Sequence, residues 1–375
     1  MTRPEVGIGI VGYGMMGRAH AYAYTDAPTV RELPVRPRLR AISGRDAGAV
    51  AKAAAAYGVE SWTTDWEELV RRPDIQIVDI CTPPGAHAEV VIAAAAAGKA
   101  VLCEKPLATD YASAVAAVEA VHAAGVPNAI GFNYRRLPAV SLLKRLVDEG
   151  RIGDVLLWRA TWLSDEFLDP DLPFDWRFER RMGGTTIADL GAHVVDLALW
   201  IVGEIEEVTA LSSTFTPERS GRPVEIDEAS SALVRFAGGA AGTFELARTC
   251  ARRPCDFWVE VNGTLGTLRF EYPRLNELWF GDATDDPGLY GLRLVRAEHP
   301  SHPYAADWWP IGQGVGYGTS FVNQAADHLA RWPDGGWDPD LETGLRVQRV
   351  CEAMERSAAE RRWVAVSELQ KPDVR

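Results

Sequence analysis

The first third of the chain alternates short apolar runs with helical stretches. Apolar runs of four to seven residues predict buried strands at residues 6–11, 39–43, 75–81, 100–104 and 129–132. Stretches with helical patterning begin at residue 16 and recur at 47–57, 65–71, 87–97 and 110–124. Strands that alternate with helices in this way are typical of strand–helix–strand units and a parallel sheet. Residues 1–127 are therefore predicted to form an α/β domain.

The pattern changes after residue 127. The predicted strands become longer and more amphipathic, at residues 155–162, 207–215, 230–236, 241–248, 257–261 and 266–270. Turn residues such as Gly238-Gly239 and Asn262-Gly263 join some of them as hairpins. Helices are predicted at residues 139–149, 189–201, 319–331 and 342–361. Residues 128–375 are therefore predicted to form an α+β domain with a large open antiparallel or mixed sheet.

Length and charge narrow the class of protein. At about 150 residues per domain, 375 residues correspond to about two domains. Asp and Glu number 52 against 39 Lys and Arg, which gives a net charge of −13. Such an acidic chain repels phosphodiester backbones and anionic lipid, so neither a nucleic acid nor a membrane surface is an expected partner. A small neutral molecule fits this charge better.

Cysteine usage and the apolar runs indicate the compartment. The chain has five cysteines, and no two of them have the two-residue gap of a zinc knuckle. A reducing compartment is expected, and no metal ion is assigned. The longest alanine-rich apolar run, residues 90–98, is about half of the ~20 residues that a membrane helix requires. The protein is therefore predicted to be cytoplasmic.

A glycine pattern follows the first predicted strand. Gly12, Gly14 and Gly17 have the spacing of the dinucleotide-binding fingerprint, and Met15 and Met16 open the next helix. In that fingerprint the first glycine permits a tight turn, the second lets a pyrophosphate approach the backbone, and the third brings helix and strand together. Free amide groups at the helix N-terminus would receive the phosphate charge. The strand-to-helix setting predicts a nucleotide-binding Rossmann domain, and a plain tight turn is the alternative.

The end of the second predicted strand bears on the choice of cofactor. An acidic residue there would bind the ribose hydroxyl groups of NAD, whereas this chain has Ser43, Gly44 and Arg45, followed by Asp46. Gly44 leaves room for a 2′-phosphate and Arg45 could pair with it, which slightly favours NADP. Asp46 could instead be a displaced ribose ligand, which would favour NAD. A cofactor of the NAD(P) class is therefore expected.

Two further segments follow parallel strands, at the edge where such sheets bind ligands. Thr82, Pro83 and His87 come after one predicted strand, and Glu104 ends the next, with Lys105 directly after it. Thr82, Pro83, His87 and Glu104 are therefore predicted to contribute to the cofactor site. A structural histidine at a strand end is an equally good interpretation of His87.

Several longer motifs carry a resemblance to one family. They are Glu104-Lys105-Pro106 after an alanine-rich helix, Asp189 and His193 at a spacing of four, and the aromatic segments 132–136, 176–178, 309–311 and 316–318. With the glycine motif, they resemble the Gfo/Idh/MocA family of nicotinamide-dependent oxidoreductases, and within it the sugar 3-dehydrogenases, over essentially the whole chain. The resemblance implies a Rossmann domain, a substrate domain with an open sheet, and a homodimer or homotetramer. Thr185 and Gly44 depart from the family pattern, which has a glycine and an acidic residue there.

The chemistry of alcohol oxidation indicates roles for three residues. Removing a hydroxyl proton while a hydride leaves the same carbon requires a base and a group that stabilises the alkoxide. Asp189 and His193 are four residues apart and share one face of a helix. His193 suits the base, Asp189 orients the imidazole or holds a neighbouring hydroxyl, and Lys105 supplies positive charge or is itself the base. A surface pair or a capped core histidine is the structural alternative for Asp189 and His193, and a loop cation is the alternative for Lys105.

Polar tips on aromatic or planar side chains suit the hydroxyl groups of a sugar. Tyr134, Arg177 and Tyr317 are therefore the expected substrate-binding residues, besides the three catalytic candidates. The resemblance implies an NAD(P)-dependent dehydrogenase that oxidises a ring hydroxyl, expected at C3, of a sugar, anhydrosugar, glycoside or cyclitol. A hydrolase or lyase that oxidises its glycoside transiently, and a sensor without catalysis, are the alternatives.

Overall fold

The computed structural model describes residues 3–369 and divides the chain into two compact units. The first unit holds the residues up to Arg136 together with Gly316–Arg346. The second holds Leu137–Val315 and the residues from Val347 onward. Within residues 3–369, no helix is both long enough and apolar enough to cross a membrane.

Helices and short turns connect the strands of both units. The helices are α1 (Met15–Val30), α2 (Ala47–Tyr57), α3 (Trp66–Arg71), α4 (His87–Ala96), α5 (Tyr111–Ala124), α6 (Pro138–Asp148), α7 (Ala192–Ile201), α8 (Gly318–Ala330) and α9 (Leu341–Glu360). The strands are β1 (Glu5–Val11), β2 (Arg36–Ser43), β3 (Trp62–Thr63), β4 (Ile77–Ile80), β5 (Ala100–Cys103), β6 (Asn128–Ile130), β7 (Val155–Leu163), β8 (Ile205–Ser213), β9 (Glu218–Arg219), β10 (Arg222–Pro223), β11 (Ala229–Phe236), β12 (Ala241–Ala247), β13 (Asp256–Gly263), β14 (Gly266–Glu271), β15 (Glu277–Asp282), β16 (Arg293–Arg296) and β17 (Val364–Ala365).

The first unit is built on a parallel sheet with the strand order β3-β2-β1-β4-β5-β6. Every residue of β4 and β5 is buried, as expected when helices cover both faces of a sheet. The strand order reverses between β1 and β4, and open α/β sheets bind their ligands at such a switch point. The predicted α/β Rossmann domain is confirmed.

The extent of the first unit differs from the sequence prediction. The sequence predicts one boundary near residue 127, with everything after it in a second domain. In the structure residues 316–346 belong to the first unit, because α8 packs against α1. Hydrophobic periodicity identifies α8 as a helix, but it does not say which sheet the helix accompanies.

The second unit contains a larger, mixed sheet. Its strand order is β16-β15-β14-β13-β7-β12-β11-β8-β17, in which β7 and β12 are parallel and the other neighbours are antiparallel. This confirms the predicted large mixed sheet. β15 and β16, of six and four residues, are not among the predicted strands. Asn262 and Gly263 lie within β13, so the hairpin turns at Thr264 and Leu265 instead.

A buried ion pair supports the aromatic cluster of the second unit. Phe167, Phe178 and Ile226 form this cluster, and the guanidinium of Arg219 lies 4.8 Å from the centre of the Phe178 ring. Arg219 donates to the carbonyl oxygen of Phe167 at 2.7 Å and to Oε1 of Glu228 at 3.1 Å. Both side chains of the pair are fully buried, so each charge depends on its partner.

Removing the cation of this pair is expected to destabilise the protein strongly. Arg219→Met leaves Glu228 buried without its charged partner, which typically costs about 3–5 kcal/mol of unfolding free energy. The matched control is Arg222→Met, because Arg222 is exposed and pairs with Glu179 at the surface, where a pair contributes about 0–1 kcal/mol. Urea denaturation measures both losses. Equal losses in the two variants would contradict the assignment of a buried pair.

Candidate active site

The turn after β1 has the geometry that a dinucleotide requires. Gly12 has a φ of +110°, and a Cβ atom there would collide with the backbone of Cys81. A Cβ atom on Gly17 would overlap the carbonyl oxygen of Gly12, so helix and strand meet closely. Gly14 faces open space, with no atom of the described chain within 4 Å of its Cβ position. Gly12 and Gly17 therefore allow close packing of the backbone, and Gly14 leaves the backbone open to a ligand.

The N-terminus of α1 is available to a phosphate group. Gly14 is the N-cap residue of α1, and no side chain caps the helix there. Met15 is 66% exposed and Met16 is half-buried, so the first turn is accessible. The first amide groups of a helix have no partner within the helix, and an anion can accept hydrogen bonds from them.

Two buried hydroxyl groups lie at the carboxyl edge of the same sheet. Oγ of Ser43, the last residue of β2, and Oγ1 of Thr82, two residues after β4, have no hydrogen-bond partner within residues 3–369. Pro83 follows Thr82 and precedes the short turn Pro84–Ala86 that leads to α4. Buried hydroxyl groups are nearly always hydrogen-bonded, so such a group indicates a ligand or an ordered water. The residues present therefore fit a dinucleotide.

Tyr13 fills the space that the sequence leaves at Gly44. A Cβ atom on Gly44 would overlap Cδ1 and Cε1 of the Tyr13 ring. The hydroxyl group of Tyr57 donates to the carbonyl oxygen of Tyr13 at 3.0 Å and holds the loop. Asp46 is also engaged, because its carboxylate accepts from the N–H of Ala49 and caps α2. The room for a 2′-phosphate expected at Gly44 is therefore occupied by an aromatic ring.

His87 connects the turn after β4 to the loop that carries Lys105. Its ring nitrogens lie 2.7 Å from the carbonyl oxygen of Pro106 and 2.8 Å from that of Thr82. Burial lowers the pKa of His87, although the two carbonyl groups oppose this shift. The side chain therefore braces the Lys105 segment, which is the structural interpretation of this histidine.

The side chain of Glu104 points into the protein. Nε2 of His20 lies 2.9 Å from Oε1 of Glu104, and the backbone N–H of Lys105 donates to Oε2 at 3.2 Å. The sequence predicts Glu104 as a cofactor ligand, whereas here both carboxylate oxygens accept from the protein itself. Lys105 follows β5 by two residues and is half-buried at the carboxyl edge of the sheet.

Asp189 and His193 lie in the second unit, on a helix that is not regular. Asp189 belongs to a π-helical turn, Ile187–Gly191, which continues into α7 with His193 in its first turn. Such turns are rare in proteins, and those that occur are often found at functional sites. The sequence predicts one regular helix through both residues, and the wider turn changes their relative rotation. His193 is buried and stacks on Trp162 with the ring centres 5.5 Å apart.

Arg248 is a candidate residue that the sequence does not single out. Its guanidinium is fully buried, lies 4.7 Å from the centre of the Phe167 ring, and donates from Nη2 to Oδ2 of Asp189. A charge-assisted hydrogen bond from a buried arginine favours the ionised carboxylate and restricts its orientation. Asp189 is therefore suited to accept a hydrogen bond rather than to carry a proton. In the sequence, the one local signal is an arginine at the end of the alternating run predicted as a strand at 241–248.

The glycine-rich segment before Asp189 is anchored through two threonines. Thr186 donates its N–H to Oδ1 of Asp227 at 2.9 Å and its hydroxyl to the Asp227 carbonyl oxygen at 2.6 Å. The hydroxyl of Thr185 donates to Oε1 of Glu355 at 2.7 Å. Burial raises the pKa of both carboxyl groups. The threonine that replaces the family's glycine at position 185 thus connects the segment to α9.

The structure brings together two of the three expected substrate residues. Tyr134 and Tyr317, distant in the sequence, have ring centres 6.0 Å apart in the first unit. Tyr317 also packs edge-on against Phe321 at 5.1 Å. Arg177 lies in the second unit, where its guanidinium pairs with Asp175 at 3.0 Å. Arg177 therefore has an acidic neighbour of its own.

Comparison with known proteins agrees with both units. Residues 6–132 match the oxidoreductase family with the NAD-binding Rossmann fold, and residues 140–269 match the GFO/IDH/MocA C-terminal domain. Levoglucosan dehydrogenase of Pseudarthrobacter phenanthrenivorans is 37% identical, with 97% of this chain and 99% of that protein covered. Inositol 2-dehydrogenase of Rhizobium meliloti is 28% identical, with 96% and 99% covered. A solved structure of levoglucosan dehydrogenase in complex with NADH and levoglucosan has a TM-score of 0.94 at 38% identity, with 96% and 99% covered.

Two glycine substitutions separate cofactor contact from packing. Gly14→Ala adds a methyl group in open space, so the melting temperature is expected to stay unchanged while NADH affinity falls about tenfold or more, about 1.4 kcal/mol. Gly17→Ala places its methyl group against the carbonyl oxygen of Gly12, so it is expected to lower both the melting temperature and the affinity. NADH fluorescence titration and thermal unfolding measure the two effects. Wild-type affinity in Gly14→Ala would refute the approach of the pyrophosphate at this turn.

Proposed function

Because the chain belongs to the Gfo/Idh/MocA family of oxidoreductases, we propose that it is an NAD-dependent dehydrogenase of a neutral sugar, anhydrosugar, glycoside or cyclitol. The observation that carries the proposal is the match to levoglucosan dehydrogenase, 37% identical over 97% of this chain. Lys105, Asp189 and His193 complete the motifs of that resemblance. The reaction converts a ring secondary alcohol to a ketone, and the resemblance to sugar 3-dehydrogenases favours the hydroxyl at C3.

The cofactor would be held by the glycine turn and the hydroxyl groups at the edge of the first sheet. Gly12, Gly14 and Gly17 shape the turn, and Ser43 and Thr82 have buried hydroxyl groups for a polar ligand. A bound nicotinamide supplies the hydride acceptor. We propose NAD rather than NADP, because the Tyr13 ring removes the space at Gly44 that favoured a 2′-phosphate. Arg45 is exposed and is the residue that would pair with such a phosphate.

Proton removal is assigned to the three motif residues. Asp189, whose carboxylate pairs with the buried Arg248, accepts a hydrogen bond and orients the imidazole of His193 or holds a neighbouring hydroxyl group. His193 is assigned as the base, because imidazole is the side chain that most often serves as a general base, and Lys105 provides positive charge for the developing alkoxide. Lys105 is the alternative base, in which case His193 stabilises the alkoxide instead. General-base catalysis contributes about 10²- to 10⁴-fold in rate.

Substrate binding is assigned to side chains that carry polar groups on an aromatic ring or a planar guanidinium. Tyr134 and Tyr317 form a neighbouring aromatic pair in the first unit, which suits a neutral polyhydroxylated ring. Arg177 is the third residue assigned to substrate binding. Its pairing with Asp175 leaves it less suited to an anionic substrate, in keeping with a sugar that has no phosphate.

We further propose a homodimer or homotetramer that uses the open face of the large sheet. Leu157 of β7, Leu211 of β8 and Leu233 of β11 lie on one face of this sheet and are 43%, 70% and 51% exposed. Exposed apolar patches of this kind mark interaction surfaces. The five cysteines are free thiols, which is in keeping with a cytoplasmic location.

Loss of either proposed catalytic base is expected to reduce turnover without loss of cofactor. Lys105→Met and His193→Asn should each lower kcat by about 10²- to 10⁴-fold, while NADH affinity stays within about threefold. The assay follows NADH absorbance with levoglucosan, free hexoses, glycosides and inositols, each with NAD and NADP. Lys52→Met and His122→Asn, at exposed positions, are the matched controls. Wild-type turnover in both site variants would refute these roles.

The same assay separates the rival activities. A dehydrogenase accumulates NADH with its ketone product. A hydrolase or lyase that oxidises its glycoside transiently releases the aglycone without net NADH, and a sensor binds the sugar with no turnover.

Arg45→Ala tests the choice between the two cofactors. If Arg45 is the one group that favours a 2′-phosphate, its removal should weaken NADP binding about tenfold or more and leave NAD binding unchanged. Fluorescence titration with NADH and NADPH measures both affinities. Tighter binding of NADPH than of NADH by the wild-type protein would overturn the preference for NAD.

A further inference from the structure

Three ionisable side chains meet inside the first unit, away from the residues assigned to catalysis. His20 of α1 lies between Asp79 of β4 and Glu104, which follows β5. Nδ1 of His20 is 2.9 Å from both carboxylate oxygens of Asp79, and Nε2 is 2.9 Å from Oε1 of Glu104. The exposed fractions are 2% for His20, 0% for Asp79 and 4% for Glu104.

The hydrogen bonds determine the protonation state of this cluster. An ionised carboxylate can only accept, so both ring nitrogens of His20 must donate, and a ring with two N–H groups is an imidazolium. A neutral imidazole has one N–H, so its unprotonated nitrogen would face an ionised carboxylate oxygen at 2.9 Å, acceptor against acceptor. With His20 charged, each carboxylate has a cationic donor at hydrogen-bond distance.

The groups that surround His20 carry no competing charge. Tyr24 of α1, Cys81 beyond β4, Cys103 of β5 and His328 of α8 face it, besides its two carboxylate partners. Burial raises the pKa of the tyrosine and of both thiols, and burial lowers the pKa of His328, so all four are neutral near pH 7. Burial also opposes the charge on His20, but the charge and hydrogen bond of Asp79 raise the pKa of His20 well above its ordinary value.

The cluster continues directly into the Lys105 segment. The second oxygen of Glu104 accepts the backbone N–H of Lys105 at 3.2 Å. On its other side the carboxylate lies against Gly131, where a Cβ atom would come within 2.5 Å of Oε1. The position of the Glu104 carboxylate is therefore set by His20 on one side and by a missing side chain on the other.

We propose that His20 is a positioning residue for the reaction: as an imidazolium held by Asp79, it fixes Glu104, and Glu104 in turn fixes the backbone at Lys105. This proposal rests on the role of Lys105 in the proposed function. It assigns a positioning role to His20, in the helix after the glycine turn, and to Glu104, whose charge is not exposed at the surface.

The charge of His20 is tested by nitrogen NMR of the histidine side chains in the full chain. The seven histidines give few signals, and His20→Gln identifies the signal of His20 by its loss. At pH 8 the ring of His20 is expected to show two protonated nitrogens, whereas an unperturbed imidazole, with a pKa of about 6.5, is almost fully neutral. A neutral ring at pH 8 would overturn the proposal, whatever the enzyme does.

The link to Lys105 is tested with His20→Gln, Glu104→Gln and the double variant. Each single change is expected to move the backbone amide signal of Lys105 and to lower kcat by about 10- to 100-fold, with KM and NADH affinity within about twofold. The double variant should lose no more than the worse single variant, because the two residues act in series. Additive losses would indicate separate structural roles and overturn the proposal.

His328→Gln is the matched control, because it changes another buried histidine of the same unit outside the cluster. It is expected to leave the Lys105 amide signal and kcat unchanged. If His20→Gln fails to fold, Glu104→Gln retains the size of the side chain and still reports on the Lys105 amide. Absence of dehydrogenase activity in the wild-type protein would refute the proposed function, while the NMR signals of His20 and Lys105 would still decide the cluster.

Discussion

Both units of this protein must accommodate carboxylate groups in places that water does not reach. Moving such a group out of water costs several kcal/mol unless a cation and hydrogen bonds replace the solvent. His20 serves two buried carboxylates in the first unit, and Arg219 serves one, Glu228, in the second, where the buried Arg248 also pairs with the partly exposed Asp189. His20 and Arg248 each join segments that are distant in the sequence, so their contacts also hold candidate site residues in place.

The sequence predicts those parts of the fold that depend on local patterns. α2 covers the predicted residues, Ala47–Tyr57, and the glycine turn follows β1 as its spacing requires. Apolar periodicity and glycine conformations act over a few residues, so they are visible without a partner. The contact of Arg248 with Asp189 and that of Tyr134 with Tyr317 join distant segments, and no local signal in the chain specifies them.

Two glycines near the proposed cofactor site differ in what lies beside them. A glycine was expected to leave space, and at Gly14 it does, because nothing of the described chain lies within 4 Å of its Cβ position. At Gly44 the same absence of a side chain is filled by the ring of Tyr13. The space beside a glycine can be filled by another side chain, and the fold determines which side chain fills it.

The π-helical turn at Ile187–Gly191 limits the changes in length that this helix can accept. A π turn holds one more residue than the α-helical turn it replaces, so it is equivalent to a single-residue insertion that the helix has absorbed. Each residue of an α-helix rotates the next by about 100°. Loss of one residue from this turn would therefore swing Asp189 away from Arg248 or carry His193 off Trp162, since both contacts depend on the same rotation. The contacts of Asp189 and His193 therefore constrain the length of this segment as much as its composition.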